Sequence, residues 1–159
     1  MKNRSDKNIY LILHNVRSLY NVGSIFRTAD AAGVLKIYLT GYTPDPSQKT
    51  ALGAEKFIPY ERHRNISSLL SKLRRAKKIQ IVALEQDKKS IDYRKFKPNP
   101  PAGGSLALIL GNEVRGMSPD LLKKADNVIQ IPMRGEKESL NVSVAAGVAL
   151  FELIRDFRD

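Results

Sequence analysis

Three short polar clusters hold the residues able to do chemistry in this chain. The first is Asn15, Arg17, Asn21 and Arg27, the second Asn112, Glu113 and Arg115, and the third Ser139 and Asn141. Their amide, carboxylate, hydroxyl and guanidinium groups suit hydrogen bonding and charge contact with a polar or anionic ligand. Taken singly, Asn21 and Arg27 have a plain reading as capping or salt-bridging residues, and Ser139 and Asn141 as caps of a final helix. A helix N-terminus is also a good place to hold an anion or a polar ligand group. Other chemistries lack their residues. The absence of cysteine removes disulfides, thiolate nucleophiles and Cys-based zinc sites. His14 and His63 are the only histidines and read as surface or structural side chains, not metal ligands. No Gly-x-Ser-x-Gly elbow supports a Ser-His-Asp triad, and neither Gly-x-Gly-x-x-Gly nor Gly-x-x-x-x-Gly-Lys-Ser/Thr occurs.

The elements that position these clusters follow from hydrophobic pattern. Ile9 to Leu13, Gln80 to Leu84 and Ser105 to Leu110 are continuous apolar runs, as expected of strands buried on both faces of a parallel sheet. Lys36 to Thr40, Lys56 to Tyr60 and Asn127 to Ile131 complete the expected strands. Helical spacing marks Ser24 to Ala32, with Gly33 as a stop, and Ile66 to Lys78, with Ile66, Leu69, Leu70 and Leu73 on one face. Ser118 followed by Pro119 predicts a short helix through Lys124, and the last helix is expected from Asn141 to about Arg158. Gly41 to Gly53 reads as loop, and Glu85 to Ala102 as a connector with at most one helical turn. Strands alternating with helices give an α/β domain with a mainly parallel sheet. In such sheets ligands bind outside the carboxyl ends of the strands, where Asn15, Glu85, Gly111 and Met133 fall.

The chain has 159 residues, enough for one domain with a real core, and no repeat or second domain is evident. With 27 Lys and Arg against 16 Asp and Glu the net charge is +11, which points to a polyanionic partner, with nucleic acid foremost. Basic residues gather at Arg62 and Arg64, along Lys72 to Lys78, and at Lys88, Lys89, Arg94, Lys95 and Lys97. The polar start, Met1 to Asn8, and the short apolar run after it fit neither a signal sequence nor a membrane span, so a cytoplasmic protein is expected.

Three motifs, in order, resemble the SpoU (TrmH) group of the SPOUT RNA 2′-O-methyltransferases. They are Asn15 to Gly33 (NVRSLYNVGSIFRTADAAG), Leu108 to Gly116 (LILGNEVRG), and Ile129 to Met133 (IQIPM) with Ser139 to Ala146 (SLNVSVAA). Each is weak alone, but the set is specific and spans nearly the whole chain. The resemblance implies an α/β domain with a mainly parallel sheet, flanking helices and a deep C-terminal trefoil knot. It also implies a homodimer and S-adenosylmethionine bound in the knot by Leu84, Gly111, Ile131 and Leu140. Arg27 matches the family's catalytic arginine, with Asn21, Glu113, Ser139 and Asn141 in support. The implied activity is methylation of a ribose 2′-hydroxyl in structured RNA, tRNA ahead of rRNA. With the first strand beginning at Ile9, one SPOUT domain over residues 1–159 is expected, without the separate N-terminal RNA-binding domain that many of the group carry. A non-catalytic RNA-binding protein on the same fold is the alternative; a Rossmann-type methyltransferase is weaker, because the early glycine-rich loop is missing.

Overall fold

The structure is a computed structural model and describes residues 7–76 and 78–158. Met1 to Asp6 and Lys77, both part of the sequence reading, lie outside the described residues. Seven strands form one parallel sheet: β1 (Ile9–His14), β2 (Lys36–Thr40), β3 (Tyr60–His63), β4 (Ile79–Leu84), β5 (Ile91–Asp92), β6 (Ser105–Leu110) and β7 (Asn127–Gln130). Their order is β3-β2-β1-β6-β4-β7-β5, and each named pair is parallel. The helices are α1 (Leu19–Ala32), α2 (Gln48–Ala51), α3 (Ile66–Ala76), α4 (Pro119–Lys124) and α5 (Val142–Arg158).

Successive strand side chains point to opposite faces, so each buried strand feeds two cores. On one face Ile9, Leu11 and Leu13 of β1 pack with Ile25, Phe26 and Ala29 of α1 and with Ala146, Ala149, Leu150 and Leu153 of α5. On the other, Tyr10 and Ile12 pack with Leu69, Leu70 and Leu73 of α3 and with Leu121 of α4. The result is three layers, α1 and α5, then the sheet, then α3 and α4. Each aliphatic side chain buried in this way contributes roughly 1.5–3 kcal/mol against leaving it exposed.

Several expectations are met closely and others shift. β2 and β6 have the expected bounds, and α4 opens with Ser118 accepting from the Leu121 amide and Pro119 in the first turn. Gly33 ends α1 in the left-handed conformation, with its amide reaching the carbonyls of Ala29 and Asp30. α1 begins at Leu19, before the expected Ser24, because Ser18 caps it by accepting from the Asn21 amide. The third strand lies at Tyr60–His63, not Lys56 to Tyr60: residues 54–56 form a 3-10 turn, and Phe57 is exposed. The expected 41–53 loop contains α2, whose Ser47 cap accepts from the Thr50 amide. The expected 85–102 connector contributes the two-residue strand β5 at the sheet edge. α3 ends at Ala76, short of Lys78, and α5 begins at Val142 because Asn141 is its cap.

Candidate active site

The carboxyl ends of β4, β6 and β7 open into one cavity of about 250 Å³. Its wall comes from the segments after each strand and from the start of α5. Leu84, Gly111, Ile131 and Leu140, separated widely in the chain, all line it, as do Glu113 and Ser139. Asn21, Asn141 and Arg27 do not.

Asn21 and Asn141 reach the cavity wall through a relay. Glu113 accepts hydrogen bonds at Oε2 from the Arg17 amide (3.1 Å) and at Oε1 from the Ser18 amide (3.2 Å) and the Asn21 Nδ2 (3.1 Å). Asn21 Oδ1 in turn accepts from Asn141 Nδ2 at 3.1 Å. Asn141 Oδ1 accepts from the Ser143 amide and so caps α5. A carboxylate from the β6 loop thus sits at the N-terminus of α1, where the helix dipole favours negative charge, and α1 is tied to α5. Partial burial pushes the Glu113 carboxyl up, but the bonds from Asn21, Arg17 and Ser18 outweigh it and hold the pKa below the ordinary 4.5. A depressed folded-state pKa means that the contribution of Glu113 to stability is complete above the unfolded-state value and is lost as pH falls through the folded one. The melting-temperature gap between wild type and Glu113→Gln should therefore narrow as pH falls below the ordinary value of 4.5. Thermal melts across an acid series measure it, and a gap constant with pH would sink the assignment.

Arg27 lies on the exposed surface of α1, and its guanidinium makes no hydrogen bond or ion pair among the described residues. Ser139 lies exposed on the loop before α5, on the cavity wall, and the capping role falls to Asn141 instead.

Gly111 is required by a close approach within the protein. A Cβ there would stand 2.7 Å from Met117 Cγ and 3.3 Å from the Gly116 carbonyl carbon, so its bareness admits the returning loop. Gly116 has φ +65°, and a Cβ would lie 2.4 Å from Glu85 Oε2. That carboxylate oxygen accepts the Met117 amide at 3.0 Å, which fastens the end of β4 to the β6 loop. Gln86 Nε2 donates to the Ile131 carbonyl at 2.7 Å, fastening β4 to the segment after β7. The sequence places Glu85 at a strand's carboxyl end but assigns it no role, and Gln86 goes unnoticed there. Their position immediately after a buried strand was the available signal.

Asn112 organises the β6 loop from inside. It is buried; its Oδ1 accepts from the Val114 and Arg115 amides at 2.9 and 2.7 Å, and its Nδ2 donates to the Asn15 carbonyl at 3.0 Å and the Tyr42 hydroxyl at 3.2 Å. His14 belongs to this scaffold. Its Nε2 accepts from Asn15 Nδ2 at 3.2 Å, leaving Nδ1 to donate to Thr40 Oγ1 at 2.8 Å, and burial lowers its pKa. That is the structural role expected of it. Among the described residues no group of three or more His, Asp and Glu is placed to hold a metal, and no helix is long and apolar enough to cross a membrane.

A parallel α/β sheet with a cavity at its carboxyl edge, walled by the returning loop before the last helix, defines a ligand-binding α/β protein. The model of the SpoU rRNA methylase family matches residues 8–151, and the chain belongs to that family. It is 35% identical over 156 residues to the tRNA (guanosine(18)-2′-O)-methyltransferase of Aquifex aeolicus (strain VF5), covering 96% of this chain and 71% of that protein. It is 34% identical to the 23S rRNA (guanosine-2′-O-)-methyltransferase RlmB of Pasteurella multocida (strain Pm70), covering 98% of this chain and 62% of that one. The crystal structure of an AdoMet-bound rRNA methyltransferase from Sinorhizobium meliloti superposes with a TM-score of 0.83 at 35% identity, covering 93% of this chain and 56% of that chain. The chain thus spans a little over half to about seven-tenths of these relatives.

Proposed function

We propose that this chain methylates a ribose 2′-hydroxyl of RNA with S-adenosylmethionine as donor. The observation that carries the reading is the convergence of Leu84, Gly111, Ile131 and Leu140 on one cavity, with Glu113 in its wall and bonded to α1. The lining suits the cofactor. Strand-end backbone groups offer hydrogen bonds for a purine edge, Leu140, Val142 and Ala145 offer apolar contact, and Glu85 and Glu138 supply negative charge beside a cationic ligand. When bound, the cofactor supplies a methyl group activated by its sulfonium. The chain's own part is to hold and orient the reactants, which can contribute roughly 7–11 kcal/mol at best. A guanidinium stays protonated at working pH and does not ordinarily serve as a base. Arg27 therefore orients the ribose and its phosphate, with the RNA phosphate assisting removal of the 2′-hydroxyl proton; Asn21, Glu113, Ser139 and Asn141 hold the surrounding frame.

The same reading includes the knot, the dimer and the substrate. The segment after β7 shares the cavity wall with the segments after β4 and β6, and α5 then packs on α1, a path that supports a trefoil knot. Val144, Val148 and Phe151 form an exposed apolar stripe on α5, with Leu140 just before it, and this supports pairing with a second copy. Sedimentation equilibrium distinguishes one copy from two. Both tRNA and rRNA remain candidate substrates, with tRNA placed first and the cytoplasm as the place of action.

Calorimetry with S-adenosylmethionine tests the cofactor and mass-spectrometric mapping of 2′-O-methylated nucleotides, in RNA from cells with and without the protein, tests the reaction. Saturable binding and loss of a methylated position are expected. No binding would favour an RNA-binding protein without catalysis, and an unchanged map in a strain free of redundant enzymes would remove the substrate assignment.

A further inference from the structure

Tyr42, just beyond β2, is an aromatic side chain held in place yet left in solvent. The residue is 54% exposed. Its amide donates to Asn15 Oδ1 at 3.1 Å, and its hydroxyl accepts from Asn112 Nδ2 at 3.2 Å. Tyr20, Phe57 and Tyr60 are also exposed aromatics, but among the described residues none of them has a hydrogen-bonded ring substituent. The fastening of Tyr42 uses unusual backbone. Asn15 adopts the left-handed region with φ 57°, which asparagine tolerates better than most non-glycine residues. Gly41 has φ +63°, and a Cβ there would lie 1.8 Å from Asn15 Oδ1. Two left-handed positions and a buried asparagine thus converge on one ring that adds little to the core. An aromatic residue serving the fold would be buried, since that is where its large apolar area contributes.

The position of the ring relative to the cavity gives it a use. Asn112 both lines the cavity and binds the Tyr42 hydroxyl. β2 lies two strands from β6 in the sheet, so their ends are about 10 Å apart at the usual strand spacing. That is within reach of a nucleotide neighbouring one whose ribose faces the cavity. Arg17 and Arg115, on the β1 and β6 loops, are exposed, and their guanidinium groups have no partner among the described residues. Unpaired cations beside a fixed aromatic face are the two components with which proteins hold single-stranded nucleic acid, phosphates on the cations and a base on the ring. A ring immobilised beforehand loses little freedom on binding.

We propose that Tyr42 is a stacking platform for a nucleobase of the RNA strand adjacent to the reacting ribose, with Arg17 and Arg115 receiving that strand's phosphates. The proposal rests on the methyltransferase reading for the identity of the ribose, and on the geometry of Tyr42 for the stacking.

The test uses a short single-stranded oligoribonucleotide carrying 2-aminopurine, whose fluorescence is quenched by stacking, titrated with the full chain. Wild type should quench at saturation. Tyr42→Phe keeps the ring and should keep most of the quenching. Tyr42→Ala should lose most of it and bind about five- to hundredfold more weakly. Absence of quenching by wild type, equal quenching by Tyr42→Ala, or equal loss in Tyr42→Phe and Tyr42→Ala would each overturn the proposal. The last would mean that the hydroxyl serves only to hold Asn112. Calorimetry with S-adenosylmethionine on the same proteins keeps the two readings apart: unchanged affinity in Tyr42→Ala supports a base-specific role. A wild type that stacks the base without binding S-adenosylmethionine would overturn the methyltransferase reading and leave the platform standing.

Discussion

An Arg27→Ala protein is expected to fold normally, to bind S-adenosylmethionine like wild type, and to transfer methyl groups to RNA at least about a hundredfold more slowly, the scale set by misplacing reactants by about 1 Å. Each part follows from where the side chain stands. Arg27 is exposed on α1 and has no partner among the described residues, so its loss removes no intramolecular bond there. Surface changes of this kind usually alter stability by no more than about 0.5 kcal/mol. It is not part of the cavity wall, so cofactor affinity has no reason to change. What is lost is a planar fork of donors able to hold a phosphate and a ribose at once. Arg27→Lys preserves the charge without the fork, and turnover between wild type and Arg27→Ala would show that geometry matters beyond charge. Single-turnover kinetics with cofactor in excess measure the step. Near-normal turnover in a folded, cofactor-bound Arg27→Ala protein would remove the arginine from the mechanism.

Asn112→Ala should fail in a different way, losing stability and cofactor affinity together. The side chain satisfies two amides of its own loop and bridges to Asn15 and Tyr42. Val114 and Arg115 are exposed, so their amides can turn to water, whereas Asn15 is half-buried and its carbonyl loses its Asn112 donor. Leaving such a group unsatisfied costs about 1–3 kcal/mol, which in a chain of this size lowers the melting temperature by roughly 3–10 °C. The loop from Gly111 to Gly116 would also lose its organiser, and cofactor affinity should drop about tenfold or more by the general cost of ordering a loop on binding. Asn112→Asp separates the two functions, because it keeps the acceptor for Val114 and Arg115 but loses the donor to Asn15 and Tyr42. If Asn112→Ala melts and binds like wild type, the loop is held by something else.

The parts of this molecule that were legible in its sequence are those whose cause is local. Ile9 to Leu13 and Ser105 to Leu110 announce buried strands because both faces are covered, and Ser118 with Pro119 announces a helix start because capping acts over three residues. β3 lies beyond the expected Lys56 to Tyr60 because an edge strand reading Tyr60-Glu-Arg-His63 has little apolar signal, while Phe57 and Ile58 before it do. The start of α1 was obscured by Asn21 and Gly23, which look like loop residues until Glu113, from far along the chain, meets the helix N-terminus. In the site, strand ends point to Glu85, Gly111 and Met133, which line the cavity, whereas Leu84, Ile131 and Leu140 follow from the family resemblance. The pairings of Asn15 with Tyr42 and of Asn112 with both link segments far apart in the chain and leave no period to read. Gly111 shows the same limit, since the approach of Met117, a second reason for a bare backbone there, comes from a contact the sequence does not display.

The strand order has a consequence for how the chain reaches this state. β1 lies between β2 and β6, so one of its edges is satisfied early and the other only when Ser105–Leu110 arrives. During synthesis the β1-α1-β2 segment, apolar on both faces, would have an unpaired β1 edge until Ser105–Leu110 has been made. Pairings of such high sequence separation also close slowly. The interval before β6 docks is therefore when a nascent chain is most exposed to misassociation, and the helper proteins of the ribosome exit would have most to shield there.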